Sequence, residues 1–429
     1  MRTAEELALL AGETLSLWLR ALPRLVFWWG VGFAVHELAV LAAAALGAEH
    51  RIVATIIFVL GMVAQLVALI MMIHSVRPYL ITGGTGPVAP ATSPRADPQR
   101  STHTVLATTL GPFLAVYAVW GLTQAEVTRL VSTNLTLHGA AVTEWSVHLT
   151  DWRFYLVLAA AAWVLRRALG WFDRRRPPRG WPGLLGHLLD GMSVLATFIA
   201  AVQLGRDLTA WLSTRRVAQW WLDTWQAALT ALGDWFGPRV PAVVQAAVDW
   251  VWATGVPALT HQVALPLMWL ALTATVFGWR IGARSLTRGT RWEATVDRAA
   301  ARTGGTGWAP VRWAVEGAGA DLRDKWLPVL HSLRLIAAAG PRFVGSYLVL
   351  GAALTGLALG WDWLLLVLGG PLPAESAQAY APVRRLLAGL VFAPLQVALW
   401  AAAFDRGVAD TTGAGWREAR LRRAARVGD

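Results

Sequence analysis

The adjacent pair His36-Glu37 is the part of this chain best suited to chemistry. It stands near the middle of a long apolar stretch, where a charged carboxylate costs roughly 2.5–3.5 kcal/mol on insertion scales and must face protein or water. An imidazole beside a carboxylate can exchange a proton or respond to a cation, so one reading is a titratable site inside a helical bundle. The other reading is structural, with Glu37 protonated or hydrogen-bonded and the pair specifying packing. A zinc-protease motif is excluded: Leu38, Ala39 and Val40 follow, and no second histidine comes four residues on.

Other polar residues in apolar surroundings are fewer and weaker. His187 and Asp190 are three apart and share a helical face, where they can pair with each other or cap a helix near the headgroups. Gln65, Gln203 and Gln396 are amides at bilayer depth whose default role is hydrogen bonding between helices. Asp362, between Trp361 and Trp363, reads as interfacial. Gly356 and Gly360 have the small-xxx-small spacing that permits close helix approach. There is no cysteine, hence no thiolate metal site, disulfide or thiol nucleophile. Two Thr-Gly-Gly-Thr-Gly runs, 82–86 and 303–307, lack the Lys-Ser/Thr of a phosphate loop and read as turns. No cofactor or metal is expected. Catalysis, the least favoured class, would be lipid chemistry at His36 or His187.

Membrane-spanning helices must hold these residues. The chain is 56% hydrophobic and 15% charged with mean hydropathy +0.47, too apolar for an ordinary soluble protein. A hydrocarbon core about 30 Å thick needs roughly 20 apolar residues at about 1.5 Å each. Eight stretches qualify: 22–48, 52–76, 104–124, 152–172, 184–204, 257–279, 343–368 and 386–404. Their Leu/Ala/Val-rich, non-alternating pattern selects helices over a barrel. The expected fold is an all-α polytopic bundle of about eight transmembrane helices with amphipathic helices on both faces.

Arginine sets the threading. Lys325 is the only lysine. Of 38 basic residues, 29 fall in the N-terminus, loops 77–103, 173–183 and 280–342, and the C-terminal tail, when residues at the span ends are counted with their nearest loop. Basic loops stay cytoplasmic, which places both termini inside. The basic cluster Arg166, Arg167, Arg174, Arg175, Arg176 and Arg179 then anchors a span at the inner face, and the pI of 11.2 reflects topogenic charge and anionic inner-leaflet lipid, with no nucleic acid required.

The expected organisation follows. Residues 1–21 contain a cytoplasmic amphipathic helix, over 4–20, ending at Pro23-Arg24. A four-span half covers 22–183, a second covers 184–404, and 405–429 is a basic cytoplasmic tail. Within the second half lie an outer segment, 205–256, and a cytoplasmic loop, 280–342, whose 320–339 stretch has helical spacing. In the outer segment Val217, Trp221, Trp225, Ala228, Leu232 and Trp235 recur on one face, as befits a helix in the headgroup zone. Residues 239–256 read as interfacial or re-entrant. Three short matches recur in order: the Thr-Gly-Gly-Thr-Gly runs, Gly111-Pro112-Phe113 against Gly340-Pro341-Arg342-Phe343, and Phe172-Asp173-Arg174 against Phe404-Asp405-Arg406. They suggest a parallel 4+4 repeat.

The leading functional expectation is a transport or translocation component with a polar path lined by His36, Glu37, Gln65 and Asp190. The alternative is a non-catalytic scaffold or cell-envelope subunit that docks partners through 205–256 or 312–339. Arginine-over-lysine usage with abundant Ala and Gly suggests a GC-rich bacterial genome and a multi-pass protein of the plasma membrane.

Overall fold

The computed structural model describes residues 2–47, 49–80, 102–139, 151–173, 181–277, 340–371 and 373–411. Among them every regular element is helical. The helices are α1 (Arg2–Leu46), α2 (Arg51–Val76), α3 (Thr102–Val119), α4 (Leu122–His138), α5 (Trp152–Asp173), α6 (Trp181–Ser213), α7 (Arg216–Phe236), α8 (Arg239–Val276), α9 (Pro341–Gly369) and α10 (Ala374–Thr411). Six carry segments long and apolar enough to cross a membrane: α1, α2, α6, α8, α9 and α10. They coincide with six of the eight predicted spans. Of the other two, 104–124 corresponds to α3, whose apolar part is only Thr109–Val119. The stretch 152–172 corresponds to α5, which carries Arg153, Arg166 and Arg167. Of the loop expected to be cytoplasmic at 280–342, residues 280–339 lie outside the described residues, with its helix and the 312–339 surface; so do both Thr-Gly-Gly-Thr-Gly runs and the tail beyond 411.

Three helix boundaries differ from the sequence expectation, each for a physical reason. The N-terminal helix does not stop at Pro23; α1 runs through it for 45 residues. Leu10, Thr14, Leu17, Ala21 and Leu25 are all buried at spacings of three and four, so one packed stripe carries the helix across the proline. The third predicted span stops early. After Val119 the chain turns at Trp120-Gly121, where Gly121 adopts φ +73, a left-handed conformation that glycine enters without a Cβ penalty. A new helix, α4, begins directly after it.

The third difference concerns 239–256, which does not form an element of its own. It joins the predicted sixth span in one 38-residue helix, α8. Two π-helical turns, Val251–Gly255 and Thr260–Ala264, interrupt it, and each precedes a proline, Pro257 and Pro266. Proline has no N–H for the carbonyl four residues back and its ring pushes that carbonyl away. Widening the preceding turn lets the Val256 N–H reach Val251 O and the Leu265 N–H reach Thr260 O, so the helix absorbs both prolines without ending.

The chain forms two compact units. The first comprises Met1–Val35, Ala64–Phe113 and Leu267–Asp429. Aromatic rings fill its interior: Trp269 stacks on Trp400 at 5.1 Å and meets Phe113 edge-on at 5.8 Å, while Phe277 lies 5.1 Å from Phe404. A Cβ on Gly32 would stand 2.6 Å from Ala68 Cβ, and one on Gly389 would overlap the Trp29 indole, so these glycines are where helices touch. The Gly356–Gly360 pair faces open space instead. Asp362 has a partner on the next helix: Arg384 on α10 lies 3.3 Å from its carboxylate.

The second unit comprises His36–Val63 and Leu114–Pro266. The α5–α6 hairpin packs through small residues, Ala159, Ala162, Ala196 and Ala200, and Ser193 Oγ donates to Ala159 O across it at 3.0 Å. Within residues 205–256, α7 turns at Gly237 (φ +96) and doubles back on α8. There Trp225 Nε1 donates to Gln245 Oε1 at 3.0 Å, and Gln245 Nε2 to Asp249 Oδ1 at 2.9 Å. The α7 face bearing Val217, Trp221 and Trp235 remains open, the last two 66% and 84% exposed.

Candidate functional site

The second unit holds a cluster of four ionisable side chains from two helices. His36 and Glu37 come from α1; Glu126 and Arg129 come from α4, one turn apart on the same face. His36 Nε2 and Glu126 Oε2 are 2.9 Å apart. Arg129 lies 3.3 Å from the same Glu126 oxygen and pairs with Glu37 through its other terminal nitrogen. His36 is 1% exposed, and the other three side chains between 13% and 17%. The Tyr117 phenol, from the end of α3, faces Glu126 and Arg129.

The local sequence explains how α4 is held there. Glu126, Arg129, Leu130, Thr133, Asn134 and Leu137 recur at three- and four-residue steps and form one face. Leu130 and Asn134 are buried. Asn134 Nδ2 donates to Ala44 O at 2.8 Å, in the last turn of α1, whose carbonyls have no intrahelical donor. His36–Glu126 and Ala44–Asn134 are both separated by 90 residues, so α4 runs alongside the end of α1 in the same direction. On its opposite face, Gln124 Oε1 accepts from Arg206 of α6 at 3.1 Å. Trp120, at the α3–α4 break, donates from Nε1 to Thr260 O at 3.4 Å, the carbonyl at the start of the second π turn. On α2, a Cβ at Gly61 would overlap Ala39 Cβ and stand 3.6 Å from His36 Nδ1.

Charge decides what such a cluster can do. Glu126 as a carboxylate can only accept, so the hydrogen between it and His36 is donated by Nε2. With a neutral imidazole, two carboxylates face one guanidinium and the cluster carries one negative charge; a proton on His36 brings it to neutrality. Arginine keeps its proton throughout. Among the described residues no group of three His, Asp or Glu side chains is placed to hold a metal ion.

The structure distributes the other predicted residues differently. Gln65 lies in the first unit, its Oε1 buried without a hydrogen-bond partner among the described residues. The Asp190 carboxylate meets Arg166 of α5 at 2.9 Å. The predicted inner-face anchor thus supplies a helix–helix pair. The His187 side chain lies outside what is described. Glu126 and Arg129 were not expected, because they follow the third predicted span and have polar neighbours in the chain. The signal that could have found them is the Glu-x-x-Arg step followed by Leu130 and Asn134 at helical spacing.

The chain matches no known protein family, no curated protein and no solved structure. Its helical apolar segments are compatible with an integral membrane protein, and six of them suggest a multi-pass one.

Proposed function

We propose that the protein is a transport or translocation component of a cell membrane, with His36, Glu37, Glu126 and Arg129 at its working centre. The observation that supports it is the joining of these four side chains across α1 and α4. Ionisable residues in membrane proteins are rare, expensive and concentrated on ion and proton pathways. A purely structural lock between two helices needs one acid and one base; here a second carboxylate and a histidine add a group whose charge can change.

The test uses full-length protein in liposomes loaded with a pH-sensitive dye, with proton entry driven by a potassium diffusion potential. Glu126→Gln keeps a hydrogen-bonding carbonyl but removes the charge. It should lower flux at least about tenfold, roughly 1.4 kcal/mol at the limiting step, with protein yield unchanged. Equal flux in wild type, Glu126→Gln and protein-free vesicles would instead favour the scaffold reading, for which the open Trp221/Trp235 face of α7 is the docking surface for outer-leaflet headgroups or a partner.

The proposed threading, with both termini cytoplasmic and the cytoplasmic leaflet's anionic lipids facing the basic loops, has its own test. Because the native chain lacks thiols, Thr230→Cys should react with an impermeant maleimide in intact cells. Arg302→Cys should react only after permeabilisation; the reverse pattern would invert the topology.

A further inference from the structure

His36 has two ring nitrogens, and they are in different situations. Nε2 is engaged with Glu126 at 2.9 Å. Nδ1 is buried with no hydrogen-bond partner among the described residues and points toward the α2 backbone at Gly61, where no side chain intervenes. A buried polar atom left without a partner is uncommon, because its desolvation goes uncompensated. With Nε2 donating, Nδ1 carries a free lone pair: it is an acceptor waiting for a hydrogen.

We propose that His36 is the residue of this cluster that takes up and releases the transported proton, at Nδ1, while Nε2 stays on Glu126. This deepens the translocation reading by naming its coupling ion and the atom that binds it. A hydronium donor loses its O–H bond and becomes water; the Nδ1 lone pair forms the new N–H bond, giving an imidazolium already paired with Glu126. Release is the reverse. The group meeting the ring is Glu126 on α4, which shares Arg129 with Glu37, the next residue on α1. Tyr117 on α3 faces the α4 pair, and α2 contributes Gly61. Both carboxylates are committed to Arg129, which cannot give up its proton, so histidine is the member with a free site.

Proton counting tests this without requiring transport. The purified full-length protein in unbuffered detergent solution is titrated between about pH 8 and pH 5, the range in which histidine ordinarily changes charge. Wild type should take up about one more proton per chain than His36→Gln, whose amide nitrogen replaces Nε2 but leaves nothing at Nδ1. Identical counts overturn the proposal. Should His36→Gln not fold, ¹⁵N-histidine spectra of intact wild type serve instead. One histidine should convert from the neutral to the doubly protonated form over this range and respond to Glu126→Gln; no histidine responding to that substitution overturns the assignment. The two readings fail separately. Flux lost in Glu126→Gln with equal proton counts removes His36 as carrier but leaves transport; a missing proton in His36→Gln with no flux in any protein removes transport but leaves the binding site.

Discussion

Arg129→Gln should lower the unfolding free energy by about 3 kcal/mol, the low end of the cost of breaking a buried ion pair. The reason is what stays behind. Glu37 and Glu126 are both mostly buried, and the Arg129 guanidinium pairs with both of them. Without it, two carboxylates share a poorly hydrated site with one imidazole. Glu37→Gln alone should cost clearly less, because Arg129 keeps Glu126 and Glu126 keeps His36. The double variant Glu37→Gln/Arg129→Gln should recover part of the loss, since one of the stranded charges has gone. Reversible denaturation of the purified protein in detergent, or thermal unfolding at fixed lipid-to-detergent ratio, reads all three. A change within about 0.5 kcal/mol for Arg129→Gln, typical of a surface substitution, would mean that water reaches the cluster freely and that its charges are not held in a low-dielectric site.

Half of this cluster was legible in the sequence and half was not, for a single reason. His36 and Glu37 stand out because apolar residues flank them on both sides in the chain; hydropathy measures sequence context. Glu126 and Arg129 have polar neighbours such as Gln124, Thr128 and Ser132, so hydropathy assigns them to water. Their burial comes from α1, ninety residues away, and no local property of α4 registers it. The same distinction explains Asp190, whose partner Arg166 belongs to the preceding helix, and Asp362, whose partner Arg384 belongs to the following one. In each case the type of residue marked it as unusual, while its partner depended on which helices pack together.

Helix interiors were easier to read than helix ends. The apolar cores of six spans follow from the requirement that backbone groups in lipid bond within their own segment, and the structure places helices over all of them. The ends depend on particular residues in competition. Pro23 predicts a stop, yet the buried stripe from Leu10 to Leu25 outweighs it; Pro257 and Pro266 predict interruptions, yet π turns accommodate both. Gly121 does end its helix, and nothing in the apolar pattern on either side distinguishes it from the glycines that do not. Glycine spacing misleads in the same way. Gly356 and Gly360 have the familiar four-residue step and meet nothing, whereas Gly61 and Gly32, with no such partner in the contact, sit where helices touch.

Gly61 therefore carries the second large expected effect, and its test can separate shape from chemistry. A Cβ added there would overlap the Cβ of Ala39, which is fixed to the α1 backbone and cannot swing aside as the tip of a long side chain could. The helices must part locally, and inserting a methyl group into a packed contact costs about 1–3 kcal/mol. Gly61→Ala should thus destabilise the protein by that amount. It should also lower any His36-dependent flux, because its new methyl stands 3.6 Å from Nδ1. Adding Ala39→Gly moves the methyl from one helix to the other and leaves the total volume unchanged. The double variant Ala39→Gly/Gly61→Ala should regain most of the stability, less about 1 kcal/mol for a glycine in a helix interior, measured by the same detergent denaturation. Flux should not return in parallel, since the methyl beside Nδ1 remains. Stability left unrecovered by the double variant would show that Gly61 and Ala39 do not meet, and the approach of α2 to His36 would have to be redrawn.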